Sequence, residues 1–350
     1  MKTTGTRSDD VAAVITGLGT CLPDHILGND DVIAAGELMT TDEWIRSRTG
    51  IRRRRRVVPG TSTGDLAVAA GRAALDSGGD TRPDLLILAT STPDHRCPAT
   101  APDVAHRLEL GTIAAFDLSA VCSGFLYALI TAAGLIRSGV CTAPLVIGAD
   151  TYSAIINPRD RDTAAIFGDG AGAVLLQAGT PESPGAILAT DWGSDGSGSP
   201  LIGITGGGSR HPDSPGRYFQ MHGREVYAHA VRRMTHSAYA VLDKAGWPAE
   251  TVGAFIGHQA NQRILDAVAE RLTIDAPHCF GNIGEVGNTA AASIPLALAE
   301  TAGSGLVAPG ERTLLTAFGG GLTWASAALT WPAVTPRAHP GHSIPAPAHT

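Results

Sequence analysis

Short unbroken apolar runs alternate along this chain with longer segments whose apolar residues recur every three to four positions. Ala13-Val14-Ile15-Thr16-Gly17, Asp84-Leu85-Leu86-Ile87-Leu88, Leu145-Val146-Ile147-Gly148 and Gly172-Ala173-Val174-Leu175-Leu176 are strand-like. Residues 64–77, 101–109, 122–138, 223–245, 260–271 and 288–302 carry the helical period. Apolar strands joined through helices predict an α/β fold with a largely parallel sheet buried on both faces. With 43 Gly and only 5% aromatic residues, the layers between these elements must be thin and aliphatic. A weak internal repeat runs through the pattern: "LLILATST" answers "VGAFIGHQAN", and "AVCSGFLYALITAAG" answers "GNTAAASIPLALAETAG". The economical division is two similar halves, 11–180 and 181–332, between a loose tail at 1–10 and a Pro/His/Ala-rich, disordered extension at 333–350. "DWGSDGSGSPLIGITGGGSRHPDSPG" (191–216) is then a long surface excursion of the second half.

The totals exclude several function classes. A net charge of -7 argues against a general nucleic-acid binder. Five cysteines without a CxxC spacing indicate neither a disulfide framework nor a zinc site. The polar start "MKTTGTRSDD" and the lack of a membrane-length apolar run predict a soluble cytoplasmic protein.

Three residues fall where strands give way to helices. Cys122 lies on the first turn of the helix in "DLSAVCSGFLYAL", where free amides and the positive helix end favour a thiolate. The alternative is a packed core cysteine. His258 lies in "FIGHQANQRI" beside Gln259, and Asn288 in "GEVGNTAAAS" opens an Ala-rich helix. Each alone reads as a satisfied turn or a cap. Together they could line the crevice at the carboxyl ends of the strands as a nucleophile and two hydrogen-bonding groups. "TAFGGGLTWASA" adds glycines whose backbone a ligand can approach closely.

"AVCSGFLYAL", "IFGDGAGAVLL", "GHQANQRI", "GNTAAAS" and "FGGGLTWAS", with "DEWIRSRTGIRRRR" near the start, resemble the β-ketoacyl-acyl carrier protein synthase III family of thiolase-fold condensing enzymes. The resemblance spans residues 11–332. It implies a thiolase-like αβαβα layered fold of two duplicated halves and a homodimer. It also implies that Cys122 takes an acyl group from acyl-CoA, with the backbone N–H groups of Cys122 and Gly320 as oxyanion hole. His258 and Asn288 would hydrogen-bond the thioester carbonyl of malonyl-acyl carrier protein during decarboxylative condensation. Trp44 and Arg161 would hold opposite faces of the CoA adenine, with Arg48 and Asn261 making further CoA contacts. Arg224 and Arg263 would face the carrier protein. No metal and no redox cofactor is implied.

Two departures from the family pattern bear on substrate. Cys97 stands where relatives often place a bulky Phe that caps the acyl pocket, which predicts room for a non-acetyl starter in a polyketide or fatty-acid pathway. Ala228 replaces a Lys on the carrier-protein face, where Arg224, Arg232 and Arg233 could compensate. The competing activity is acyl transfer to an alcohol, amine or carrier without condensation. The basic run "IRRRRRVV" (51–58) is expected to contact anions or to lie solvated on the surface.

Overall fold

The computed structural model describes residues 11–341. The expected tail at 1–10 and the end of the extension, 342–350, lie outside the described residues. The first half contributes strands β1 (Ala12–Pro23), β2 (His25–Gly28), β3 (Arg53–Arg56), β4 (Leu85–Ala89), β5 (Ala114–Leu118), β6 (Pro144–Thr151) and β7 (Asp169–Gly179). Its helices are α1 (Asn29–Gly36), α2 (Asp42–Thr49), α3 (Thr63–Gly78), α4 (Ala101–Arg107), α5 (Gly124–Arg137) and the short α6 (Arg161–Ala164). The second half contributes β8 (Ala186–Ser194), β9 (Ile202–Gly203), β10 (Gln220–Met221), β11 (Ala254–Gly257), β12 (Arg312–Gly319), β13 (Thr323–Thr330) and β14 (Arg337–Gly341). With them come α7 (Gly223–Ala245), α8 (Gln262–Leu272), α9 (Ile283–Val286) and α10 (Ser293–Ser304).

The main sheet runs β11-β12-β13-β8-β1-β7-β6-β4-β5. Within it one motif occurs twice. In β4-β6-β7-β1 the first pair is parallel and the next two are antiparallel, and β11-β12-β13-β8 repeats that order and sense. The two copies meet where Ala13 and Val14 of β1 pair antiparallel with Ile187 and Ala186 of β8. The expected largely parallel sheet is therefore a mixed one. The cause is connection length: β12 returns directly as β13 through the three residues Gly320–Leu322, too short for a crossover.

The layers follow from which faces are apolar. α5 and α10 are buried between the two half-sheets, where Phe125, Leu126, Leu129, Ile294 and Leu298 share one core with Ile87, Val146, Ile256 and Leu315. α3 and α4 cover the outer face of the first half, with Leu66, Ala70 and Val104 on Leu86, Leu88 and Ile147. α7 and α8 cover the second, with Met234, Val241 and Val268 on Phe255 and Leu314. This gives α-β-α-β-α.

Two expectations fail here. The extension expected to be disordered from 333 supplies β14, which pairs parallel with Gly19–Pro23 of β1. That stretch of β1 has parted from β8, so its edge was open to a further strand. The basic run is solvated only in part: Arg52 and Arg53 are half-exposed, while Arg54 is not. Arg53–Arg56 form β3, paired with β2, and Arg54 is fully buried. Its Nη2 donates to Asn29 Oδ1 at 2.7 Å and to the Ala165 carbonyl at 2.5 Å. Burial lowers its pKa to about 10, which still leaves it charged at neutral pH. Arg56 donates to the Ala164 carbonyl at 3.0 Å, and Arg52 and Arg53 pair with Glu285 at 2.5 and 2.9 Å. The run thus holds α6 and α9 in place.

Replacing Arg54 by Met strands two buried acceptors, each costing about 1–3 kcal/mol. Thermal unfolding of R54M should fall by about 5 °C. R53Q, which breaks a half-exposed pair, should shift it by about 1 °C or less. Equal shifts would contradict the assignment of the run as buried scaffolding.

Candidate active site

Cys122 sits in a 3-10 turn, Val121–Ser123, between β5 and α5. Asn288 precedes the matching turn, Ala290–Ala292, which opens into α10. The two turns are structural counterparts: Val121 at φ 49° and Ala290 at φ 48° both take the left-handed conformation that non-glycine residues avoid. Such strain persists only where surrounding contacts over-determine it. Here they do. The Ser123 hydroxyl bonds the Ala120 carbonyl at 2.9 Å and the Thr323 hydroxyl at 2.6 Å, and Thr323 in turn donates to the Gly320 carbonyl at 3.0 Å. A Cβ on Gly319 would stand 2.9 Å from the backbone nitrogens of both Cys122 and Ser123, so only glycine allows this approach. Gly320, in the next turn, packs against Val121 and Ile202.

A buried carboxylate ties the second turn to the first half. Asp150, at the end of β6, accepts from the Ser91 amide at 2.7 Å and from the Ala291 amide at 3.0 Å. Thr90 and Thr92 donate to it as well, both at 3.2 Å. Burial raises its pKa to about 7, against the pull of those donors.

His258 follows β11, and its amide donates to the Thr316 carbonyl of β12 at 2.8 Å. Gln259 is wholly buried and spans the site: its Nε2 donates to the Gly257 carbonyl, and its Oε1 accepts from the amides of Asn282 and Ile283. The His258 ring is 2% exposed, and burial lowers its pKa to about 3, so the imidazole is neutral. Its Nδ1 lies 2.6 Å from Ser293 Oγ, which is fully buried. If Nδ1 donated the proton, the Ser293 hydroxyl hydrogen would need a second acceptor in the core. Donation from Ser293 to Nδ1 pairs that hydroxyl hydrogen and puts the ring proton on Nε2. Asn288 is oriented by similar logic. Its Oδ1 accepts from the Ala290 amide at 2.9 Å, which leaves the Nδ2 donors free. Asn288 therefore forms a local turn through its side chain, while the helix itself starts only at Ser293.

Thiolate character at Cys122 was the sequence expectation, and the structure reverses it. The thiol is 9% exposed, and burial together with the charge of Asp150 pushes its pKa well up. The helix end and the residue's own amide pull the other way, each worth on the order of 1 kcal/mol. Desolvation wins, and the resting group is a thiol.

A cavity of about 710 Å³ leads from the surface to Asn288. Trp44, Arg48, Arg161, Arg224, Asn261 and Arg263 all line it. The side chain of Asn261 also caps α8, accepting from the Arg263 amide at 2.9 Å. Arg161 does not stand across a gap from Trp44; its guanidinium rests on the indole, 5.0 Å from the ring centroid. Cys97 lies apart, exposed in the loop between β4 and α4 and outside this cavity. Ala228 and Arg232 line a second hollow of about 420 Å³ with Tyr227 and Arg271. Arg233 is unavailable to a partner on that face: it pairs with Asp195 at 3.0 Å and covers the Trp324 ring at 4.4 Å. Ser293 and Asp150 were not singled out in the sequence, where a serine in "AAAS" and an aspartate ending an apolar strand carry no distinguishing signal.

The family described as 3-Oxoacyl-[acyl-carrier-protein (ACP)] synthase III matches residues 116–196, and its C-terminal part matches residues 242–331. Beta-ketoacyl-[acyl-carrier-protein] synthase III 2 of Streptomyces coelicolor is 56% identical over 330 residues, covering 94% of this chain and 97% of that protein. The crystal structure of 3-oxoacyl-(acyl carrier protein) synthase III from Pseudomonas aeruginosa PAO1 superimposes with a TM-score of 0.87 at 48% identity, covering 93% of this chain and 100% of that one. A priming β-ketosynthase from a polyketide biosynthetic pathway superimposes with a TM-score of 0.87 at 32% identity, covering 95% of this chain and 99% of that one. With the mixed sheet, the paired turns and the buried Cys, His and Asn in place, these likenesses have one reading: the chain belongs to the β-ketoacyl-acyl carrier protein synthase III family of thiolase-fold condensing enzymes.

Proposed function

We propose that this protein loads an acyl group from acyl-CoA onto Cys122 and condenses it with malonyl-acyl carrier protein. The observation that carries the reading is the single cavity that runs from Trp44 and Arg161 at the surface to Asn288 beside the buried turn of Cys122. Its arginines suit the phosphates of CoA, and Trp44 offers a stacking face to adenine once Arg161 lifts from it. Arg48 and Asn261 make the further CoA contacts, while Arg224 and Arg263 at the same mouth meet the acidic carrier protein.

In the first step the Cys122 sulfur attacks the thioester carbon, the C–S bond to CoA breaks, and the thiol proton ends on the released CoA sulfur. The backbone N–H groups of Cys122 and Gly320 hold the oxyanion. In the second step the bond between C2 and the carboxylate of the malonyl group breaks, and CO2 leaves. The electron pair moves into an enolate whose oxygen meets the Nε2–H of His258 and the Nδ2–H of Asn288. Because both donors sit in a desolvated site, they act where charge develops and need no reorganisation. C2 then attacks the acyl-Cys122 carbonyl, and the Cys122 sulfur departs from the β-ketoacyl product as a thiolate and takes up a proton from solvent. Every step uses side chains of this chain and its two substrates, with no metal or redox group. The primer is a non-acetyl starter in this proposal: in the homodimer the exposed loop before α4 would reach the partner subunit's acyl pocket, and Cys97 would place little bulk there. The working unit is a homodimer, because among the described residues β5 pairs only with β4 and leaves an edge, with Phe116 36% exposed, to a second copy. Among the described residues no helix is long and apolar enough to cross a membrane.

Intact-mass analysis after incubation with acyl-CoA should show one acyl adduct at Cys122, reduced about 10³-fold in rate in C122S. H258A and N288A should acylate at near wild-type rate yet lose CO2 release by about 10²–10³-fold each. Acylation without CO2 release in the wild type would instead favour simple acyl transfer.

A neutral His258 also fixes a pH dependence. The folded pKa of about 3 lies below the unfolded value of 6.5, so the unfolded chain binds the extra proton as pH falls below 6.5. The CO2-release step should show no inflection near pH 6.5. Stability should drop in acid, between about pH 6.5 and 3, less steeply in H258Q than in the wild type.

A further inference from the structure

Behind Cys122 three aromatic rings close the site. Tyr152 and Phe167 stack with centroids 4.5 Å apart, and Phe219 meets both edge-on at 5.2 and 5.3 Å. All three belong to the apolar cluster that contains Cys122. Their place is set by the chain. Tyr152 follows β6, Ser91 follows β4 and Cys122 follows β5, so all three stand at the carboxyl ends of neighbouring parallel strands. On the other side, Phe167 is bridged to Asn288, with Asn288 N–H donating to Ile166 and Gly168 N–H donating to Asn288. The aromatic box therefore lies next to both the turn of the nucleophile and the backbone of the carboxamide residue.

One feature of this box is not apolar. Tyr152 is 0% exposed, and its hydroxyl has no hydrogen-bond partner. The Ser91 hydroxyl oxygen is likewise buried and unpartnered. The two are neighbours, since Ser91 eases the ionisation that burial, Cys122 and Asp150 oppose in Tyr152, yet no hydrogen bond of good geometry joins them. A buried hydroxyl left unpaired destabilises the fold, and a phenylalanine would fill the same space without that cost. Two such neighbouring hydroxyls near a nucleophile are polar groups without good partners in an otherwise apolar cluster.

We propose that Tyr152, assisted by Ser91, recognises an oxygen carried on the chain of the acyl primer, so that the preferred substrates are short hydroxyacyl- or ketoacyl-CoA thioesters. This rests on the loading of Cys122 proposed above and names the substrate class of that step. The aromatic rings limit chain length, and the hydroxyl pair selects for the oxygen. A site built to hydrogen-bond a substrate group rejects the analogue that lacks it, because its own polar atoms then stay unpaired.

The test is a competition read by intact mass at Cys122: butyryl-CoA against 3-hydroxybutyryl-CoA, and butyryl-CoA against 4-hydroxybutyryl-CoA. The wild type should favour at least one hydroxylated thioester by about tenfold, and Y152F should bring that ratio to about one. S91A should fall between them. A wild-type ratio near one for both pairs, or a preference that survives in Y152F, overturns the subsite. Thermal unfolding supplies the independent check. Y152F should melt at or above the wild-type temperature, because its lost hydroxyl had no partner; a drop of several degrees means the hydroxyl is already paired and overturns the proposal. Absence of any adduct with all three thioesters would remove the Cys122 loading step itself, an outcome distinct from a ratio of one.

Discussion

A single buried carboxylate joins the two halves of this protein where their geometry has to agree. Asp150 reaches from the first half-sheet to the Ala291 amide of the second, while the same side chain holds the Ser91 amide and two threonine hydroxyls of its own half. Besides that link, the turn carrying Asn288 and Ser293 is held to the first half by packing and by the backbone bonds of Asn288 with Ile166 and Gly168. Gly148 shows how close the packing is: a Cβ there would stand 2.4 Å from the Ala291 carbonyl oxygen. The desolvation that makes Asp150 costly also raises the Cys122 thiol and lowers the His258 imidazole. One dry interior sets three protonation states.

The duplication then divides the chemistry. The first-half turn presents a thiol, and the second-half turn at the equivalent place presents Ala291, with donors arranged around it instead of a nucleophile. In the proposed mechanism this separates acyl storage from enolate stabilisation. Ser293 keeps the imidazole a donor at Nε2, and the Ala290 amide keeps the carboxamide a donor at Nδ2. Neither group can become a base without first giving up a buried hydrogen bond.

Much of this was legible in the sequence, for local reasons. The helix expected at 223–245 is Gly223–Ala245, ended by Gly246 in the left-handed conformation, and Cys122 and His258 fall at strand-to-helix junctions as the patterning requires, whereas Asn288 follows the short helix α9 and meets a strand-like partner through its bridge to Phe167. What failed depends on partners distant in the chain. Five consecutive arginines look solvated until Asn29 and the Ala165 carbonyl are brought to Arg54. A proline-rich end looks unstructured until β1 offers it an open edge. The thiolate expected from the helix end ignored the burial that only the assembled layers create. The unpaired Tyr152 hydroxyl has no sequence signature, since a tyrosine after an apolar strand is ordinarily just core.

The division of labour between the two turns is the claim on which the rest stands, and carbon dioxide release measures it without the nucleophile. With malonyl-acyl carrier protein and no primer, C122A should still release CO2 at a substantial fraction of the wild-type rate, while the double variant C122A/H258A should not. Loss of CO2 release in C122A with retention in H258A would contradict the account.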